Sequence, residues 1–413
     1  MKKYLIIIGI VVSMVMPSCR QSNVHMGQQN SQWRGENRDG MYLSETGLLK
    51  EWGADGPELL WYFEGLSDGH SSPAIANGRL YITGLNGDNL TLFVFDLKGQ
   101  LLNKKELSGE WVRSNGGTRS TVCVNDGKLY VFSGLGKLYC LNAATLDVIW
   151  SKDLFTDFDG RNNAHGITES PLIVGDKLIM TPGGEVNNII ALNKNTGELI
   201  WSSPGEGTIS AFCSPQFIGD QSVPMLVTST FDYIIALNVD TGEKLWSFYR
   251  TSTWNNHPNT PLYHNGMIFS TTGDGAPAVM LRLKNGGRDF EVVWENPDLD
   301  TQMGGAVRVG DYIYASGHTN RFWFCVDWNT GETKYRVRDI GACNVIFADG
   351  MLYCYSERGT MNLVKPNPEN FELVSSFSVN LGTGTHWAHT VIHDGVLYIR
   401  HGDALMAYKV KLN

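Results

Sequence analysis

Apolar and polar residues alternate in short runs along most of the chain, and the runs come in pairs joined by tight turns. Side chains two residues apart share a face of a strand, so this alternation predicts β-strands with one face on a core. The turns are Asn77-Gly78, Asp126-Gly127, Gly175-Asp176, Gly219-Asp220, Asn265-Gly266, Gly310-Asp311, Asp349-Gly350 and Asp394-Gly395, spaced 39 to 49 residues apart. Glycine allows the positive φ that such hairpins require. Between them a ten-residue phrase recurs: LNAATLDVIW at Leu141–Trp150, LNKNTGELIW at Leu192–Trp201, LNVDTGEKLW at Leu237–Trp246 and VDWNTGETKY at Val326–Tyr335. It reads as a strand, a tight turn characteristically built on Thr-Gly, and a second strand ending in a large aromatic.

Each unit therefore holds four strands, A to D, with hairpins at A–B and C–D. A four-stranded unit at this period cannot bury both faces alone and is the blade of a β-propeller. The last unit supplies A (Thr390–His393), B (Val396–Arg400) and C (Leu405–Lys409), and lacks D. The aromatic-ended stretch Leu59–Glu64, LLWYFE, is the missing D strand. The expectation is an all-β, eight-bladed propeller over residues 33–413, closed by an N-terminal strand.

Composition agrees. Glycine is 46 of 413 residues and aromatics are 11%, while charged residues are only 18% against a usual ~25%. The net charge of −9 excludes a nucleic-acid partner, since no basic excess exists to neutralise phosphates. Lys2 and Lys3 precede an apolar run, Tyr4 to Met16, too short to span a bilayer. Met16-Pro17-Ser18-Cys19 follows, with the form of a lipobox. Residues 1–18 are thus expected to be a signal peptide, Cys19 a lipidated terminus, and residues 19–32 a tether. Cys140, Cys325 and Cys354 sit within apolar strand patterns, where a thiol is a small hydrophobe. No C-x-x-C spacing marks a zinc or redox site. Cys123, Cys213 and Cys343 complete the set. Free buried thiols are expected, with Cys343 and Cys354 the pair to check for a bridge.

The repeat phrase and blade count resemble the quinoprotein-alcohol-dehydrogenase-like superfamily, with its pyrroloquinoline-quinone (PQQ)-type repeats, over roughly Ser31 to Lys411. WRGENRDG from Trp33, HGITESPL from His165, GGAVRVGDYIY from Gly304 and ADGMLYCYSERGT from Ala348 resemble an exported bacterial lipoprotein subgroup. That likeness implies the cell envelope, on the periplasmic side or at the outer membrane. Function is left open by it, because folds of this kind host many activities. The superfamily's alcohol dehydrogenases carry adjacent cysteines whose disulfide covers the quinone, and no two of the 7 cysteines here are adjacent.

In this architecture the D–A and B–C connections share one rim and are the longer ones, where function tends to reside. The D–A loops present His70, Arg119, His165 with Glu169, Ser210, His257 with Asn259, Gln302, Asn344, and His386 with Trp387 and His389. The B–C loops add Glu185, Asp274, His318, Arg321, Glu357, Arg358, His401 and Asp403. Such convergence of polar groups at a channel mouth suits a polar ligand. No histidine metal site is expected: His386 and His389 are three apart, and strand alternation sends them to opposite faces. Trp150, Trp201, Trp246 and Trp294 read as structural rings between blades, whereas Trp254 and Trp387 lie in loops where they can stack on a ligand.

Two functions are weighed. The first is a monomeric, lipid-anchored binding or scaffold propeller for a polar small molecule, a glycan or an envelope protein, without cofactor. The alternative is a PQQ-dependent alcohol or sugar dehydrogenase, with Asp274 as base and Glu169 and Asn259 as Ca²⁺ ligands.

Overall fold

The computed structural model describes residues 30–412. The expected signal peptide, Cys19 and most of the expected tether lie outside the described residues. Among those described, the strands form eight sheets, six of them running in simple sequential order and two joined by a strand from before the first blade. Blade 1 is Ala74–Ala76, Arg79–Asn86, Asn89–Asp96 and Leu101–Gly109, and the later blades repeat it. In blade 8, Leu59–Glu64 pairs antiparallel with Ala404–Lys409, from Leu59 opposite Tyr408 to Glu64 opposite Ala404. The ring is closed as the strand pattern predicts.

The repeat phrase has a local cause and a long-range one. In blade 3, Asn193 Oδ1 accepts from the amides of Asn195 at 2.9 Å and Thr196 at 3.2 Å. Thr196 Oγ1 then accepts from Glu198 N at 3.3 Å, and Gly197 closes the turn at φ 73°. Asn238 and Asp327 begin the same turn in blades 4 and 6. A β-bulge precedes the aromatic in the D strand and re-aims it. Trp201 is thereby buried, and its indole N–H donates to Val239 O of blade 4 at 3.0 Å. Trp150 donates to Lys194 O at 3.1 Å, Trp294 to Trp328 O at 3.0 Å, and Trp61 to Leu97 O at 3.0 Å. Each ring lies on the turn glycine of the next blade: Trp61 on Gly99, Trp150 on Gly197, Trp201 on Gly242 and Trp294 on Gly331. Those glycines are needed twice, for positive φ and for the absent Cβ.

The exception supports this. Blade 1 places Asn103 opposite Val94, where blade 2 has Trp150 opposite Cys140. The next turn carries Leu146 in place of glycine, buried and at φ 62°. The leucine fills the space that a tryptophan leaves, at roughly 1–2 kcal/mol of backbone strain.

Cores sit between blades. Leu172, Ile179, Ala191 and Trp201 of blade 3 pack with Leu226, Ile235 and Leu237 of blade 4. The six described cysteines are buried, unbridged thiols, Cys343 and Cys354 among them. Burial pushes the Cys140 and Cys213 thiols up to about 11.

The residues before the first blade fill the axis. Asn30 Oδ1 accepts from Asp126 N at 3.3 Å, and Ser31 bridges Val124. Arg38 donates to Ser170 O at 2.7 Å and Pro171 O at 3.0 Å in the loop entering blade 3. Arg34 donates to Ala306 O of blade 6 at 2.6 Å. Met41–Tyr42 then adds a parallel strand to Cys343–Ala348, making blade 7 five-stranded.

Candidate functional site

The loops that enter the A strands surround a cavity of about 360 Å³. Of the twelve residues named in the D–A loops, it is lined by His70, Arg119, His165, Asn259, Gln302, Trp387 and His389. His318 of a B–C loop joins them. Trp33 and Arg34 form part of the wall from the axial segment, and Phe212 and Asn256 from D–A loops. Trp33 donates its indole N–H to Thr260 Oγ1 at 3.2 Å and meets the His389 ring edge-on at 4.6 Å.

His389 shows how the wall is set. Its Nε2–H faces Met303 O at 2.9 Å and its Nδ1 lies 3.3 Å from Arg34 Nη1. Donation to the carbonyl and acceptance from the guanidinium define one neutral tautomer. Burial, then Arg34, hold its pKa down at about 3. Burial, with Arg119 and Arg400 behind it, holds His70 at about 3 as well. The arginines are lowered only to about 10, by burial, and stay charged. Arg119 Nη2 donates to Ser114 O at 3.3 Å and to Asn115 O, while its buried Nε has no partner.

The other candidates are used elsewhere. Glu169 is fully buried: one oxygen accepts from Thr181 N at 2.6 Å, the other has no partner, and burial raises its pKa to about 7. His257 is buried against Phe231 O at 3.1 Å. Asn344 donates to Trp387 O at 2.9 Å and Ala388 O at 3.1 Å, so it shapes the loop that presents Trp387. His386 accepts from Tyr355 OH at 2.5 Å and stacks on His401 at 3.6 Å. Burial, then His401, depress it to about 4. Ser210 is buried and bridges Thr230. In the B–C loops, Arg321 pairs with Glu357, and Glu185 lies 3.6 Å from Arg161. Asp403 Oδ1 accepts from Thr383 Oγ1 at 2.9 Å. Trp254 is 69% exposed and lies outside the cavity wall, so of the two loop tryptophans only Trp387 faces it.

Asp274 is held at φ 63°. Its Oδ2 accepts from Gln302 Nε2 at 3.0 Å, and its Oδ1 is 4.0 Å from His318 Nε2. It stands behind Gln302 and His318 and is not part of the wall. Among the described residues no aspartate or glutamate lines the cavity. Nor do any three His, Cys, Asp or Glu side chains gather to hold a metal ion. Asn259 already spends its amide on Thr271 O at 3.3 Å and Thr301 O at 2.7 Å. A quinone paired with Ca²⁺ requires anionic oxygen ligands to neutralise the cation and a carboxylate base, and among the described residues this wall supplies no carboxylate for either. The residues present do not fit that pair.

Trp33 and Arg34 belong to the WRGENRDG phrase. The phrase stands out in the sequence, but nothing local in it predicts that it enters the axis.

A family model described as outer membrane protein assembly factor BamB matches residues 97–217 and 163–367, together more than half of the chain. The chain belongs to this family of PQQ-like propellers. It is 31% identical over 104 residues to quinoprotein ethanol dehydrogenase of Pseudomonas aeruginosa, a stretch that is 24% of this chain and 16% of that enzyme. Among solved structures, BamB from Moraxella catarrhalis superposes with a TM-score of 0.60 at 13% identity, over 86% of this chain and all of that one. Quinohemoprotein alcohol dehydrogenase ADHIIG from Pseudomonas putida HK5 gives 0.62 at 13% identity, over 93% of this chain and 80% of that one. At these identities the structural likeness is one of fold.

Proposed function

We propose that the protein is a binding or scaffold propeller of the cell envelope, lipid-anchored through Cys19, whose cavity holds a polar ligand without transforming it. The observation that carries this reading is the wall itself: two charged arginines, His70 and His389 held uncharged, and aromatic rings, with no carboxylate among the described residues. Such a wall can orient and neutralise an anionic or hydroxylated ligand. The hydrogen bonds of Asn259, Gln302 and His389 go to the protein's own groups, which makes the wall rigid. The description of the matched family, an outer-membrane assembly factor, supports an envelope role.

Incubation with PQQ and Ca²⁺, followed by alcohol- or sugar-dependent dye reduction, tests the reading. No saturable binding and no turnover are expected. Turnover that is lost in Asp274→Asn would replace this reading with the dehydrogenase. Cys19→Ala is expected to release the protein from the membrane fraction. Unchanged fractionation, with no acyl mass on the mature terminus, would remove the anchor.

A further inference from the structure

We propose that the cavity takes an acidic sugar, a pyranose whose carboxylate sits on Arg119 and whose C–H face lies on Trp387. This rests on the cavity being a ligand site and names the ligand class.

Charge comes first. Arg119 is half-buried on the wall; its Nη2 donates to two backbone carbonyls, and its Nη1 has no partner among the described residues. A guanidinium offering unused donors in a fixed fork matches a carboxylate. No carboxylate on the wall competes for it among the described residues. Arg34 is already spent on Ala306 O at 2.6 Å and Asp39 O at 3.2 Å. One available guanidinium suits a single carboxylate better than a phosphate dianion.

The neutral groups decide the rest of the ligand. The side-chain amides of Asn115 and Asn256 and the indole N–H of Trp387 line the cavity and make no hydrogen bond to the described protein. His165 engages Ser114 Oγ through Nδ1 at 3.0 Å, which leaves its Nε2 free. A flat aromatic acid would cover these groups without bonding them, at a desolvation cost for each. A ring carrying hydroxyls satisfies them. Sugars also present an apolar C–H face, for which one aromatic ring suffices. The volume of about 360 Å³ lies at the small end of the ~300–1,000 Å³ usual for such sites, enough for a sugar ring with its substituents.

Calorimetric titration of the mature protein with D-glucuronate, D-galacturonate, D-glucose, benzoate, inorganic phosphate and trigalacturonate tests this. Saturable glucuronate or galacturonate binding, at least about tenfold tighter than glucose, is expected from the added charged contact. Arg119→Gln should abolish the preference over glucose, Arg119→Lys should retain part of it, and Trp387→Ala should weaken acidic and neutral sugars alike. Unchanged melting curves establish that the variants are folded. Trigalacturonate binding more tightly than galacturonate identifies the source as a polymer end, and equal affinity identifies a free sugar; both uphold the proposal. Benzoate, phosphate or glucose binding as tightly as the uronates would overturn it, as would no binding by any uronate. If the quinone assay is null in those cases, the binding-propeller reading stands and only the sugar assignment fails.

Discussion

Replacing Gly242 by alanine tests how one blade is fixed to the next. Gly242 sits at φ 73°, and a Cβ there would lie 2.6 Å from Cε3 and 2.8 Å from Cδ2 of Trp201 in the preceding blade. Gly266 provides the control, with nearly the same φ of 75° and nothing within 4 Å of its Cβ position. Both substitutions carry the backbone strain of a left-handed residue, roughly 1–2 kcal/mol. Only Gly242→Ala adds a steric overlap. The Trp201 ring cannot retreat easily, because it is 7% exposed and its N–H is held by Val239 O at 3.0 Å. Overpacking of this kind costs about 1–3 kcal/mol. Gly242→Ala is therefore expected to lose about 2–5 kcal/mol, and Gly266→Ala only its strain share. Urea unfolding followed by far-ultraviolet circular dichroism measures both. In a Trp201→Ala background the Gly242 penalty should fall to that of Gly266, giving a coupling of about 1–3 kcal/mol. Equal costs for the two glycines, or a Gly242 penalty that survives loss of the ring, would refute ring-on-turn docking.

Deleting Leu59–Glu64 exposes the edge of Ala404–Lys409 and the apolar flank of blade 8, so the cooperative melt should be lost; an unchanged transition would refute the closure. Leu146→Gly relieves the strained φ of 62° but empties a buried site. The side chain is worth about 2–5 kcal/mol, so the variant should be less stable than wild type, and a net gain would refute the filling role. Glu169 is raised to about 7 by burial, from an ordinary 4.5. The folded chain keeps this proton where the unfolded chain has released it, so the stabilisation is complete below 4.5 and is lost as pH rises through about 7. Glu169→Gln should remove up to ~1.4 kcal/mol per pH unit of that decline, and identical stability–pH slopes in variant and wild type would refute it.

Much of the architecture was legible because it is periodic. Two-residue turns, alternating strands and the Thr-Gly phrase recur often enough to count blades, and the lone D-like strand at Leu59–Glu64 identifies the closure. The rim of the site was legible for the same reason: strand order dictates which loops share it. Which loop residues face the cavity was not. His257, His386 and Glu169 have the chemistry of ligands, yet in the fold they serve Phe231 O, the Tyr355 hydroxyl and Thr181 N. That choice depends on loop conformations a few residues long, for which no period exists. The contribution of Trp33 and Arg34 was less legible still, because it arises from a segment without strand pattern crossing to blades far away in sequence.

That segment also accounts for the charge of the site. Around the axis, loop and inner-strand carbonyls such as Ser170 O, Pro171 O and Ala306 O point at one another's neighbourhood and need donors. Arg34, Arg38 and Arg400 provide them, each almost fully buried and none in an ion pair among the described residues. Arg400, lowered to about 9 by burial, bonds Ser71 Oγ at 2.5 Å and Thr83 O at 2.7 Å. Guanidinium groups suit this task, since five donors in one plane serve several carbonyls at once and the charge persists on burial. The electrostatic consequence follows directly. Burial, and then these unpaired cations, depress His70 and His389, and the cations leave the wall positive within a chain whose net charge is −9. Packing of the axis and the proposed preference for an anionic ligand thus have one physical origin. Ligand preference should therefore respond to Arg34→Met even though that guanidinium is already bonded: the wall would lose a charge and His389 a donor. Weaker uronate binding with glucose binding unchanged would bear this out, and equal losses for both sugars would show that Arg34 acts only by holding the wall in shape.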